Sequence, residues 1–223
     1  MKVGIFAGGY KPFTLAHFSM IALAARENDR AILVYGMSGR STSGHDFEYT
    51  DEMARNIFEI NKKSIEREMS NVDVIEADQA PLSSVFRIIE NVLNDKKIQR
   101  YNLNIEPVDS LTVYDGPDDI KRYTKYVEDH VKRKKYFGNM IESGSLMFDS
   151  GPGEKRGYDG MLHAIKEWKK IDVCNVDIKN IRGTIVRKMI SSSCGFEEFK
   201  KMLPPIYTEE ESLRIFNIMS KKG

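Results

Sequence analysis

Thr14 and His17 stand three residues apart, directly behind the turn Gly8-Gly9-Tyr10-Lys11-Pro12-Phe13. A hydroxyl and an imidazole at i and i+3 share one face of a helix's first turn. The free amides and the positive end of the helix dipole point the same way. Gly8 and Gly9 let the backbone turn sharply and approach a ligand, Pro12 fixes the loop, and Phe13 anchors it in the core. Together these groups can hold a phosphate. A second pair with the same spacing, Thr184 and Arg187, sits in Ile181-Arg182-Gly183-Thr184-Ile185-Val186-Arg187. An arginine there can bind phosphate oxygens bidentately. Two such helix starts could grip a triphosphate from two sides. Each has a blander reading, as a helix cap beside a core histidine or a solvated arginine. The glycine turn favours function for the first pair; the second heptapeptide alone is weak.

The chain must place both pairs at the ends of strands. Residues 2–7 read as a strand, and Leu15, Phe18, Ala22 and Ala25 trace one face of the helix behind it. Strands are expected at 31–35, 72–75, 111–114 and 173–176. Between them, Thr50 can cap a helix carrying Met53, Ile57, Phe58 and Ile60, and Ser83 or Ser84 one carrying Val85, Ile88, Ile89 and Val92. Further helices are expected from Ile120 to about Val131 and around Ile185, Val186, Met189 and Ile190, and a long loop over 36–49. Strands alternating with helices predict an α/β fold: a Rossmann-like parallel five-stranded sheet with helices on both faces. Ligands bind such sheets beyond the strands' carboxyl ends, where strand order reverses.

Two regions depart from that pattern. Residues 132–160 open with Lys132-Arg133-Lys134-Lys135 and are rich in glycine, so they read as an irregular insertion. The four basic residues fit a solvated helix face, or a surface that attracts a polyanion. Beyond Pro204-Pro205, Thr208 and Glu211 make a capping box ahead of Leu213, Ile215, Phe216 and Ile218. The expected organisation is one domain over 1–203 with the insertion inside it, then a helical tail over 204–223.

Bulk composition narrows the class. The 223 residues carry a net charge of +1, with 41% hydrophobic and 30% charged residues. That balance suits a soluble globular chain and gives no global field toward nucleic acid or membrane. There is no apolar run long enough to span a bilayer, and Met1-Lys2 leads straight into a strand rather than a signal peptide. Cys174 and Cys194 lack metal-ligand spacing, so a cytoplasmic protein with two reduced thiols is expected. His45, His130 and His163 also lack ligand spacing and read as incidental.

The first segment resembles the signature of the HIGH-superfamily nucleotidylyltransferases, roughly G-x-F-x-P-[HT]-x-x-H after the first strand. Gly8, Pro12, Thr14 and His17 fit it, with Phe13 inserted; Ala16 stands where a glycine is usual. The second heptapeptide resembles the superfamily's I-S-[SGA]-T-x-[IV]-R. Ile181, Gly183, Thr184, Val186 and Arg187 fit, while Arg182 replaces a serine. The resemblance covers about residues 1–120 and 170–203.

The resemblance implies transfer of a nucleoside monophosphate from a nucleoside triphosphate to a small phosphorylated acceptor, releasing pyrophosphate, with Mg²⁺ as the accompanying cation. Threonine at 14 is more like the adenylyl-transferring members, so ATP is the expected donor and nicotinamide mononucleotide the leading acceptor, which would place the chain in NAD biosynthesis. Cytidylyl transfer to a phospho-alcohol or sugar phosphate is the enzyme alternative, with pantetheine phosphate a third acceptor. A nucleotide-binding regulator without turnover is the non-enzyme alternative. The implied catalytic residues are His17, Thr14 and Arg187. Gly8, Gly9, Lys11, Thr184, Gly116 and Asp118 would bind the nucleotide, and Ser38 and Arg40, after the second strand, the acceptor. No metal ligand is expected from the protein. Self-association is left open. A dinucleotide-dependent oxidoreductase is disfavoured, because Gly4, Gly8 and Gly9 do not form G-x-G-x-x-G.

Overall fold

The fold is taken from a computed structural model, which describes residues 1–37, 47–78, 80–95, 97–99, 101–116, 121–123, 125, 146–149, 181 and 183–220. Its centre is a parallel sheet of β1 (Lys2–Gly8), β2 (Arg30–Tyr35), β3 (Val72–Glu76), β4 (Ser110–Tyr114) and β5 (Leu146–Asp149). The spatial order is β3-β2-β1-β4-β5. β1 therefore lies between β2 and β4, with Ile5 paired to Ile32 on one side and to Val113 on the other. The chain winds outward one way from β1 to β3, then crosses back to β4. That reversal opens a crevice beyond the carboxyl ends of β1 and β4.

Alternation along each strand sends side chains to two cores. Phe6, Leu33, Tyr35, Val74 and Tyr114 face one side, with α1 (Leu15–Glu27) and the Phe58–Ile65 face of α2 (Asp51–Glu68). Val3, Ile5, Ile32, Val34, Ile75, Leu111 and Val113 face the other, against α3 (Pro81–Asp95). Both faces are covered, as a parallel sheet requires. Helix α1 is more deeply set than a one-sided stripe predicts, since Ser19, Met20, Ile21, Leu23 and Ala24 are buried beside the expected Leu15, Phe18 and Ala22.

The strands expected near 2–7, 31–35, 72–75 and 111–114 are present. The strand expected at 173–176 lies outside the described residues. The edge position is held instead by β5, inside the stretch read as an irregular insertion; Leu146 pairs with Leu111 and Asp149 with Tyr114. Leu-Met-Phe-Asp is too short for a periodic signal, and glycines flank it closely. The start of α3 also differs from expectation. The helix begins at Pro81, whose fixed φ and missing N–H suit the first helical position. Ser84 instead uses its hydroxyl to accept from the Asp78 amide at 3.2 Å. At α2 the expected cap is made, with the Met53 amide donating to the Thr50 hydroxyl at 3.2 Å.

The last described segment holds α4 (Gly183–Ser191), the short α5 (Phe196–Lys200) and α6 (Glu209–Ser220). Thr208 and Glu211 form the reciprocal capping box, at 2.8 and 3.1 Å. Ile215 and Met219 of α6 join Ile57 and Ile60 of α2, Val186 of α4 and Phe199 of α5 in a third core. Arg67 of α2 reaches across to Glu211 with bonds of 2.7 and 3.0 Å, and donates to the Ile206 carbonyl at 2.8 Å.

Candidate active site

The crevice is a cleft of about 430 Å³. Its floor is the end of β1, from Phe6 to Gly9, with Tyr10 and His17. Asp115 after β4, Ala80, Pro81 and Leu82 at the start of α3, and Arg122 and Tyr123 complete the described lining. Its size suits a small-molecule ligand.

Local sequence explains how the loop is built. A Cβ on Gly8 would lie 2.6 Å from the ring of Tyr10, which folds back over it. Only glycine leaves that ring its place. Tyr10 itself has φ 33°, a left-handed conformation that a bulky residue rarely adopts. Its ring is held by Phe6, Phe13, Tyr35 and His17, with centroids 5.0–5.4 Å away. Its carbonyl accepts from the Tyr35 hydroxyl at 2.9 Å. The Tyr10 hydroxyl is buried and finds no partner among the described residues.

Thr14 and His17 meet as the sequence predicts, but in different roles. Thr14 is the N-cap of α1 and is fully buried. Its backbone amide donates to His17 Nδ1 at 3.1 Å, with the Thr14 hydroxyl also 3.1 Å from that nitrogen. The ring of His17 thus closes the capping box that a glutamate or glutamine normally closes. An Nδ1 that accepts from an amide carries no proton, so the proton sits on Nε2. Burial pushes the imidazole down to about 4, so at neutral pH it is an uncharged ring. His17 lines the cleft, whereas Thr14 stands behind it.

The second motif comes to the same loop from the far end of the chain. Arg187 donates to the Lys11 carbonyl and, at 3.2 Å, to the Thr184 hydroxyl. A Cβ on Gly183 would fall 2.9 Å from that same carbonyl, so glycine is what lets the start of α4 sit against the loop. The Lys11 ammonium lies over the Tyr49 ring, 5.8 Å from its centroid. Gly8, Gly9 and His17 line the cleft; Lys11, Thr184 and Arg187 gather on the loop and are not part of that lining. Gly116 follows β4, and its amide donates to Asp115 at 2.7 Å. Asp118, Ser38 and Arg40 lie outside the described residues.

Sequence reasoning missed Tyr10, Asp115, Arg122 and Tyr123 in the cleft. It also missed Asn61, a fully buried amide in α2 that donates to the Tyr35 hydroxyl at 2.7 Å. Asn61 left a readable signal, since it interrupts an apolar stripe formed by Ile57, Phe58, Ile60 and Ile65. A polar residue on such a face must find a buried partner.

No protein-family profile matches the chain. Over 121 residues, 53% of this chain and 80% of the other, it is 22% identical to a phosphopantetheine adenylyltransferase of Bacteroides thetaiotaomicron. Its fold is similar to that of a Vibrio parahaemolyticus protein provisionally named a nicotinate-nucleotide adenylyltransferase. That likeness has a TM-score of 0.50 at 15% identity and covers 97% of this chain and 99% of that one. Both of these similar proteins are named as adenylyltransferases. Among the described residues no helix is long and apolar enough to cross a membrane.

Proposed function

We propose that this protein is an adenylyltransferase, moving AMP from ATP to a small phosphorylated acceptor with release of pyrophosphate. An acceptor phosphate oxygen attacks the α-phosphorus in line. The new oxygen–phosphorus bond forms as the bond to the bridging oxygen breaks, and the pyrophosphate carries away the electron pair. Such chemistry needs positioning and charge stabilisation rather than covalent help.

The observation that carries this reading is the clamp around the glycine turn. On its cleft side, Nε2–H of a neutral, tautomer-fixed His17 can donate to a phosphate oxygen. The Gly8 and Gly9 backbone borders the same space. Arg187, bound to the Lys11 carbonyl and to the Thr184 hydroxyl, braces that loop, and with Thr184 it would hold the β- and γ-phosphates. Thr14 acts through His17, fixing its ring.

Asp115 is the cleft carboxylate that could hold a cation. Mg²⁺ commonly binds through one or two carboxylates plus substrate phosphates, which fits a lining with one described acid. When bound, the cation would neutralise charge on the triphosphate. The leading acceptor is nicotinamide mononucleotide, with nicotinate mononucleotide and phosphopantetheine next, following the names of the similar proteins.

Pyrophosphate release from ATP or CTP against this acceptor panel tests the proposal. Release with ATP and one acceptor is expected, and His17→Ala and Arg187→Ala should each slow it by on the order of 10²-fold or more. Tight ATP binding with no release for any acceptor would replace the enzyme with a nucleotide-binding regulator. Release from CTP alone would turn it into a cytidylyltransferase.

A further inference from the structure

We propose that Tyr35, Asn61 and Tyr207 are positioning residues, a buried hydrogen-bond relay that fixes the backbone of the glycine turn. Tyr207, between α5 and α6, donates its hydroxyl hydrogen to Asn61 Oδ1. Asn61 Nδ2 donates to the Tyr35 hydroxyl at 2.7 Å. Tyr35 in turn donates to the Tyr10 carbonyl at 2.9 Å. The effect on ligand binding rests on the nucleotide reading above; the effect on the turn does not.

Three features make the relay directional. Each phenol has one hydrogen, and each hydrogen is committed toward the next member. If the Asn61 amide were flipped, its oxygen would face a Tyr35 hydroxyl already committed to Tyr10, and its NH₂ would displace the acceptor of Tyr207. Only one orientation satisfies all three. Tyr35 and Asn61 are fully buried, so water cannot substitute for a missing member. Burial also pushes the Tyr35 and Tyr207 phenols well above their ordinary range, so both remain donors across working pH.

The relay ends at the strained residue of the loop. Tyr10 is the left-handed residue of the turn, and its carbonyl belongs to the peptide that leads into Lys11, whose own carbonyl receives Arg187. A donor aimed at Tyr10 O fixes the orientation of that peptide. The Gly8 carbonyl is separately bound by the Gly36 amide at 2.9 Å. The loop that borders the cleft is therefore tied down from β2, α2 and the segment before α6. That last segment lies beyond the stretch that resembles the superfamily's two signatures.

The test compares Tyr35→Phe with the triple variant Tyr35→Phe/Asn61→Leu/Tyr207→Phe in the full-length chain. The single variant leaves the Asn61 amide without its acceptor and should lower Tm. The triple variant removes every polar side chain of the relay together and leaves only the Tyr10 carbonyl without its donor, so its Tm should return to within about 5 °C of the parent. Backbone hydrogen exchange in peptides covering residues 8–13 should be faster in both, on the order of tenfold, with β2 and α1 unchanged. ATP should bind the triple variant on the order of tenfold more weakly despite its recovered Tm. Exchange over 8–13 that matches the parent, or that rises equally throughout the chain, overturns the proposal. So does ATP affinity that returns with Tm. If the parent itself does not bind ATP, the nucleotide reading falls, and the exchange measurement alone still decides the relay.

Discussion

Arg187 donates a hydrogen bond to the backbone carbonyl of Lys11, joining two motifs 176 residues apart. A guanidinium serves here because it is planar and always charged, and because a second nitrogen can reach Thr184 at the same time. The contact depends on a glycine, since a methyl group at 183 would strike the carbonyl that Arg187 binds.

Gly183→Ala should consequently imitate a lesion in the loop. Its Cβ, 2.9 Å from Lys11 O, would push α4 and the loop apart. ATP affinity is expected to fall on the order of tenfold, with only a modest loss of Tm, because Gly183 is half-buried at a helix start. Calorimetric titration of ATP checks this. Unchanged affinity would show that the loop tolerates displacement. Arg187→Lys should behave similarly, because one ammonium cannot keep both the Lys11 and Thr184 contacts.

His17 should titrate far from the ordinary histidine range. Burial lowers it to about 4, so between that value and about 6.5 the unfolded chain takes up a proton that the folded chain refuses. This part of the stability is complete above about 6.5 and is lost as pH falls toward 4. An NMR titration of the unliganded protein should show the His17 ring midpoint near 4 and the Nε2–H tautomer above it. A midpoint near 6.5 would remove the fixed-tautomer argument.

Tyr10→Phe is expected to leave the unliganded protein as stable as the parent or slightly more so. It deletes a buried hydroxyl that has no partner among the described residues, and such a group costs about 1 kcal/mol or more when left unpaired. Thermal unfolding measures this. A clear fall in Tm would show that the hydroxyl is paired after all.

The Arg67–Glu211 pair should appear in the acid limb of stability. The Arg67 side chain beside it holds the Glu211 carboxyl down at about 2, below its ordinary 4.5. Stability from this pair is present above about 4.5 and disappears as pH falls through 2. Arg67 is well exposed, so the contribution is about 1 kcal/mol or less after screening. Glu211→Gln should flatten the stability difference between pH 5 and 2.5 by that amount, measured by urea unfolding. The parent and variant falling in parallel would mean the pair contributes nothing.

The parts of the fold that repeat a simple physical pattern were legible. β1 to β4 are mostly apolar runs because both faces of a parallel sheet are buried, and the Thr14–His17 and Thr184–Arg187 pairs follow from short-range helix geometry. β5 was not legible, because four residues between glycines carry no periodicity. The meeting of Arg187 with Lys11 was readable only as two motifs in the right order, since no local pattern encodes a contact across most of the chain. The role of Thr14 was half legible. Its spacing from His17 was clear, but the side facing the cleft depends on how deeply α1 is packed. Asp115 and Tyr123 were hidden because pocket walls are assembled by tertiary structure from residues that are ordinary in sequence.

The central position of β1 also governs when the cleft can exist. Its first partner, β2, follows soon after it, whereas on the other side Lys2 pairs with Ser110. During synthesis the emerging chain can assemble three strands and α1 while the far wall is still untranslated. The loop that borders the cleft is then made early and completed late, first by β4, then by Arg187 and last by Tyr207. A nascent chain stopped before β4 would carry the Thr14–His17 capping box but not the crevice, whose far wall at Asp115 is still to be made.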